Sequence, residues 1–262
     1  MKCRHCRASA SDSVYDGELS FSECCRVLDS LAEAKPMIIW TGGEPMTRDD
    51  LLELVGYATS LGIKSVLAPC GMLVTESRLK ELKDAGVMAC SFSLDGPDKA
   101  THDSFRGVNG AWDSVIAAMA VSRSVGMPFQ VNTVLRKGGL SALDSIYATA
   151  ISQGALRLDL FFLVPTGRGK GIDSLVPSDT EVEAAIAWSK DKNVKLTCCP
   201  QAGTCIGGRG FAFLSHIGTL QPCGFVQVSC GSIRDFKFDF IKLVKTIDNP
   251  LGVSGNCRNM SN

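Results

Sequence analysis

The chain has 262 residues, 45% of them hydrophobic, and 27 basic side chains balance 27 acidic ones. Zero net charge without a basic block gives nucleic acid and anionic membranes no electrostatic handle, no apolar run approaches the ~18–20 residues that span a bilayer, and no signal peptide opens the sequence. These features read as a cytoplasmic protein of one large domain, or one domain plus an appendage. Its twelve cysteines then read as metal ligands or reduced core thiols, not disulfides.

The predicted elements alternate along the chain. A helix is expected over 20–34, with Leu28, Leu31 and Ala32 on its apolar face and Ser20 and Glu23 at capping-box spacing. Strand 37–40, helix 47–61, strand 64–68, helix 75–85 and strand 87–94 follow. Then come helix 111–125, strand 128–135, helix 141–153, strand 156–164 and helix 178–190. The strands look apolar throughout, as expected when helices cover both faces of a parallel sheet. A closed or partial β/α barrel and a doubly wound sheet both satisfy this pattern. From about residue 196 helices stop, Gly and Cys rise, and Phe211–Ser215 followed by Gly218 reads as a hairpin strand and turn. The expected division is therefore 1–194 and 195–262.

Three stretches carry chemistry. Cys3-Arg4-His5-Cys6 places two thiols three positions apart, a spacing shared by zinc sites, redox dithiols and iron–sulfur clusters. Thr41-Gly42-Gly43-Glu44-Pro45 follows a strand, at the end where barrel enzymes put their chemistry. Its glycines admit a close backbone approach, and Glu44 can accept from an ammonium group. Ser91-Phe92-Ser93-Leu94-Asp95-Gly96-Pro97 ends another strand, with Ser93 and Asp95 on one side of it by alternation. Asp95-Gly96-Pro97 also reads simply as a turn starter. Cys24, Cys25 and Cys90 are assigned to packing, and Cys70 to a cavity or a buried thiol. His5, His102 and His216 are too far apart in sequence to suggest a zinc or general-base cluster.

Together these motifs resemble the radical S-adenosylmethionine (radical SAM) enzymes, whose loop C-x3-C-x2-C holds a 4Fe–4S cluster. The resemblance implies that Cys3 and Cys6 are the last two thiolates of that triad, with the first two places upstream of Met1. It implies a partial (β/α)6 barrel whose first strand also precedes the given chain. It further implies that Glu44 takes the methionyl amine of S-adenosylmethionine and that Gly42 and Gly43 line the same site. His5 packs against the adenine in this reading, and Ser93, Asp95 and the weaker candidates Asn132 and Thr133 contact the cofactor or the substrate cavity. Pro165-Thr166-Gly167-Arg168-Gly169 is similar to the family's adenine- and carboxylate-binding turn, although Arg168 also reads as a solvated loop charge.

The rear of the chain resembles the SPASM extension, which binds auxiliary 4Fe–4S clusters. Cys205, twelve residues, Gly218, four residues and Cys223 match its opening, with Cys199 and Cys230 as added ligands. Cys257 begins the next run, but Met260 stands where another Cys belongs, and the sequence is expected to be truncated at both ends. Four of these thiols also meet the requirement of a zinc site. Cys3–Ala10 and Gly207–Phe225 are especially similar to the radical SAM enzymes of alternative haem biosynthesis. By that resemblance a 5′-deoxyadenosyl radical removes carboxyl or acetate groups from a tetrapyrrole side chain, with a ferredoxin or flavodoxin as electron donor. A peptide-modifying SPASM maturase is the alternative enzyme. A fragment that holds an iron–sulfur cluster or zinc without catalysis is the alternative of another class.

Overall fold

The computed structural model describes residues 3–11, 15–197, 207–208 and 210–246. Helix α1 (Phe21–Leu31) starts on the expected capping box: the Ser20 hydroxyl accepts from the Glu23 N–H while Glu23 reaches back to the Ser20 N–H. Then follow β1 (Met37–Trp40), α2 (Leu51–Ser60), β2 (Lys64–Leu67), α3 (Glu76–Ala85), β3 (Val87–Ser93), α4 (Lys99–Arg106) and α5 (Ala111–Ser124). The series continues with β4 (Phe129–Leu135), α6 (Leu143–Ser152), β5 (Leu158–Phe162), α7 (Asp179–Ser189) and β6 (Val194–Thr197). A short antiparallel hairpin, β7 (Phe213–Leu214) and β8 (Leu220–Gln221), and α8 (Phe240–Val244) complete the described chain.

The six long strands are all parallel and lie in the order β1-β2-β3-β4-β5-β6, forming a curled half-barrel. That order decides between the two architectures left open above. A doubly wound sheet reverses direction at a switch point and so has helices on both faces. A sheet built from crossovers of one hand, without reversal, collects its helices on one face. Here Leu67, Phe92, Phe129, Val131 and Leu158 pack against Leu51, Val55, Leu79, Val115, Met119 and Ile146 of the helices. The opposite face carries Ser91, Ser93, Gln130, Asn132 and Asp159 in register across β3, β4 and β5. The expectation of strands apolar on both sides is thus corrected: β4 alternates strictly between buried and half-buried positions.

Three elements go beyond the sequence reading. Helix α4 presents His102, Asp103, Phe105 and Arg106 as its buried residues, so no apolar period marks it. Strand β6 pairs with β5 across the expected division at 194/195. Helix α8 buries Leu243 beside α1. Among the described residues no helix is long and apolar enough to cross a membrane.

Candidate functional site

The site is built at the carboxyl ends of the strands, beneath the loop that carries Cys3 and Cys6. That loop has no regular structure, and its own turns are few: the Cys6 N–H donates to the Cys3 carbonyl and the Ser9 N–H to the Cys6 carbonyl. The turn after β5 supplies the rest. Arg168 donates through its backbone N–H to the Cys6 carbonyl (2.9 Å), through Nη1 to the Cys3 carbonyl (3.0 Å), and through Nη2 to the Ala10 carbonyl. This guanidinium, expected at the cofactor or in solvent, is occupied by the cysteine loop. Gly167 lies at φ +58°, and a Cβ there would come within 2.2 Å of the Arg7 carbonyl oxygen. Only glycine admits that approach.

Both sulfurs have donors. The Ala10 N–H lies 3.4 Å from Cys6 Sγ, and Arg106 Nη1 lies 3.7 Å from Cys3 Sγ. Arg106 ends α4 and is buried; its Nε lies 2.7 Å from Asp95 Oδ2. The other Asp95 oxygen accepts from the Val134 N–H at 2.9 Å. Burial alone would raise the Asp95 carboxyl. Arg106, then the two histidines and the Val134 N–H outweigh it and hold the group below the ordinary carboxylate range. Asp95, expected to face a ribose or the substrate, instead anchors Arg106 beside Cys3.

His5 Nε2 stands 3.6 Å from Asp95 Oδ2, and its ring stacks on Phe105 with centroids 4.4 Å apart and planes 5° off parallel. The ring expected to meet an adenine therefore packs on protein here. Burial, with Arg106 and Arg136 nearby, lowers His5 to about 4 despite the attraction of Asp95. His102 Nδ1 accepts from the Asp95 N–H at 3.0 Å and is likewise lowered to about 4, chiefly by burial and Arg106.

Glu44 is half-buried. Its Oε1 accepts from the Met46 N–H at 3.0 Å and its Oε2 from the Cys70 N–H at 2.6 Å. Each oxygen keeps a lone pair for a further donor. Gly42 sits at φ +143°, and a Cβ on Gly43 would meet Ala10 Cβ at 3.3 Å, so the Gly-Gly turn lies against the cysteine loop. Burial and the Glu44 charge push the Cys70 thiol up to about 12. Asn132 accepts from Gln130, which also bonds Ser91 and Asp159, while Arg157 bonds both Gln130 and Asp159. Ser93 lies beside Asn132 in register.

The sequence reading missed Arg106, His102, Phe105 and Arg136, all within or facing α4. The signal present was Asp98 as N-cap and Gly107 as left-handed cap, with the eight helical residues between them. Of the rear cysteines, Cys223 is buried and Cys230 packs against the cluster around Leu220 and Leu243. Cys199, Cys205 and Cys257 lie outside the described residues. Among the described residues, no three metal-ligating side chains gather to hold an ion. Gly218, the glycine of the rear motif, takes φ +83° at the β7–β8 turn against Leu19 and Ile233.

Comparison with known proteins agrees with this geometry. Residues 1–139 match the family model described as the Radical SAM superfamily. The chain is 36% identical to the AdoMet-dependent heme synthase of Nitratidesulfovibrio vulgaris over 91% of its own length and 74% of that protein's. It is 35% identical to the AdoMet-dependent heme synthase of Methanosarcina barkeri over 98% of its length and 84% of that protein's. In fold it is similar to Streptococcus suis SuiB bound to precursor peptide SuiA, with a TM-score of 0.71 at 16% identity; it covers 63% of that chain. With the motif loop, the half-barrel and these matches in agreement along most of its length, the chain belongs to the Radical SAM superfamily of enzymes.

Proposed function

We propose that this protein removes carboxyl or acetate groups from a tetrapyrrole side chain in haem formation, using a 4Fe–4S cluster and S-adenosylmethionine. The observation that carries this reading is its similarity to two heme synthases along nearly the whole chain, through both the cysteine loop and the rear segment.

The residues present fit the two cofactors. Cys3 and Cys6 would supply two of the cluster's thiolates, and the Ala10 N–H and the Arg106 guanidinium already point donors at those sulfurs. Glu44 would accept the cofactor's ammonium on its remaining lone pairs. Gly42 and Gly43 leave the space above the strand ends open to it. Ser93 and Asn132 would meet the ribose from the inner face of the sheet. When bound, the pair supplies a carbon-centred radical for hydrogen abstraction. The chain's own work is positional: Arg168 and Gly167 hold the loop, and Arg106 and Asp95 hold Cys3. Cys223 and Cys230, with Cys199, Cys205 and Cys257, are proposed ligands of an auxiliary cluster within a rear unit spanning 195–262. A ferredoxin or flavodoxin is the proposed electron donor, in the cytoplasm.

The test is anaerobic reconstitution with iron and sulfide, then incubation with S-adenosylmethionine, dithionite and iron-coproporphyrin. Formation of 5′-deoxyadenosine together with decarboxylated tetrapyrrole is expected. Production of 5′-deoxyadenosine with no change in any tetrapyrrole would leave the radical site and remove the substrate. In the same assay Glu44→Ala is expected to weaken S-adenosylmethionine binding at least tenfold while iron loading falls less. Equal loss of both would sink the role given to Glu44.

A further inference from the structure

A hollow of about 460 Å³ opens beside the cysteine loop, lined by Arg4, Thr101, Ser104, Phe105, Arg136 and Leu175. Its volume lies within the range of small-molecule sites. Its walls follow three neighbouring strands: α4 after β3, Arg136 directly after β4, and Leu175 on the segment after β5. That is the face where parallel β/α sheets bind ligands.

Two guanidiniums share this hollow, and among the described residues neither has an ion-pair partner. Arg4 stands between the two loop cysteines, exposed, and among the described residues only its backbone N–H is engaged, on the Phe105 carbonyl. Arg136 lies 4.4 Å over the Phe105 ring, which His5 also stacks upon, so the cation is held in place while its N–H groups are left for a ligand. The hydroxyls of Thr101 and Ser104 add two more donors. Two like charges lining one hollow, without an acidic group between them, set up a positive potential that favours an anion there. Paired guanidinium forks suit carboxylates.

We propose that this hollow is a carboxylate subsite, in which Arg4 and Arg136 take the acidic arms of an organic polycarboxylate substrate beside the cysteine loop. The identity of that substrate as a tetrapyrrole rests on the function proposed above; the subsite itself does not. Arg4 couples the two, because its neighbours in sequence are the loop cysteine and the stacked histidine. A substrate arm bound there is held next to the radical source.

The test is calorimetric titration of the reconstituted protein with three probes: coproporphyrin III, citrate and S-adenosylmethionine. Wild type is compared with Arg4→Gln and Arg136→Gln. Coproporphyrin III and citrate are expected to bind about threefold more weakly to Arg4→Gln, the exposed group, and about tenfold more weakly to Arg136→Gln. S-adenosylmethionine should be unchanged. Citrate that weakens in the variants while coproporphyrin III fails to bind wild type upholds the subsite and removes the tetrapyrrole. Coproporphyrin III bound equally by all three proteins upholds the tetrapyrrole and overturns the subsite. Weakening of S-adenosylmethionine alone assigns the carboxylate to the cofactor and also overturns it. Arg4 makes no side-chain hydrogen bond among the described residues, so Arg4→Gln carries the test alone should Arg136→Gln unfold.

Discussion

Arg106 is the residue on which the front of the site turns. Its side chain is 10% exposed and that of Asp95 only 1%, so each charge depends on the other for solvation. Burial lowers the Arg106 proton affinity less than Asp95 and Cys3 raise it. Removing one partner strands the other in a low-dielectric interior. Arg106→Met and Asp95→Asn are each expected to cost about 3–5 kcal/mol. The double variant should cost less than the sum by at least ~1 kcal/mol, measured by urea unfolding as a double-mutant cycle. Strictly additive losses would mean that the pair is not a unit. Asp103 shows the same economy in a neutral setting: its two oxygens cap the Gly110 and Trp112 N–H groups, starting α5, whose own cap residue is glycine.

At the scale of elements, the cysteine loop and α4 are each too short to hold a conformation alone. An eight-residue helix is marginal in water, and α4 depends on Asp98 as its cap and on Gly96, where a Cβ would fall 2.5 Å from the His102 nitrogen. The loop depends on the turn after β5. Gly167→Ala would drive a Cβ into the Arg7 and Cys6 carbonyls and also strain the backbone at φ +58°. We expect it to lower iron and sulfide retained after reconstitution severalfold. Gly171→Ala is the control, since Gly171 lies at φ +90° with nothing within 4 Å and suffers strain alone. Equal iron content in the two variants would show that loop contact is not what the glycine provides.

In the whole molecule, the rear segment folds with the barrel. Leu19, Leu28, Leu31, Leu54 and Ala58 share one apolar cluster with Leu220, Ile233 and Leu243, and Arg234 pairs Glu23 through two N–H groups. The two histidines beside Asp95 give this assembly a pH signature. Both titrate near 4 in the folded chain against 6.5 unfolded, so in that window the unfolded state binds more protons. Their contribution is complete above 6.5 and is lost as pH falls toward 4. The thermal midpoint is therefore expected to drop steadily from pH 7 to pH 4.5. His102→Asn, whose amide oxygen can still accept from the Asp95 N–H, should flatten that slope. An unchanged slope in the variant would remove His102 from the account.

What the sequence determined by itself was whatever is written in local order. The alternation of strands and helices appears at its expected places, from the Ser20 capping box through β5. The Cys3–Cys6 spacing, the Gly42-Gly43-Glu44 turn and the glycine at 218 also needed no partner to be legible. Three things were decided only by the tertiary structure. The strand order put the covering helices on one face, because each crossover is right-handed but the side of the sheet on which the next strand adds is not written in any one segment. Helix α4 escaped because its buried face is polar; its burial is offset by Asp95 and the Gly110 and Trp112 N–H groups on either side of it and by Cys3, about a hundred residues away. The protein contacts of Arg168, Asp95 and His5 were decided in the tertiary structure for the same reason. Each is a polar side chain whose partner is chosen by what the fold brings within about 3–4 Å, and no local pattern encodes a distance of that kind.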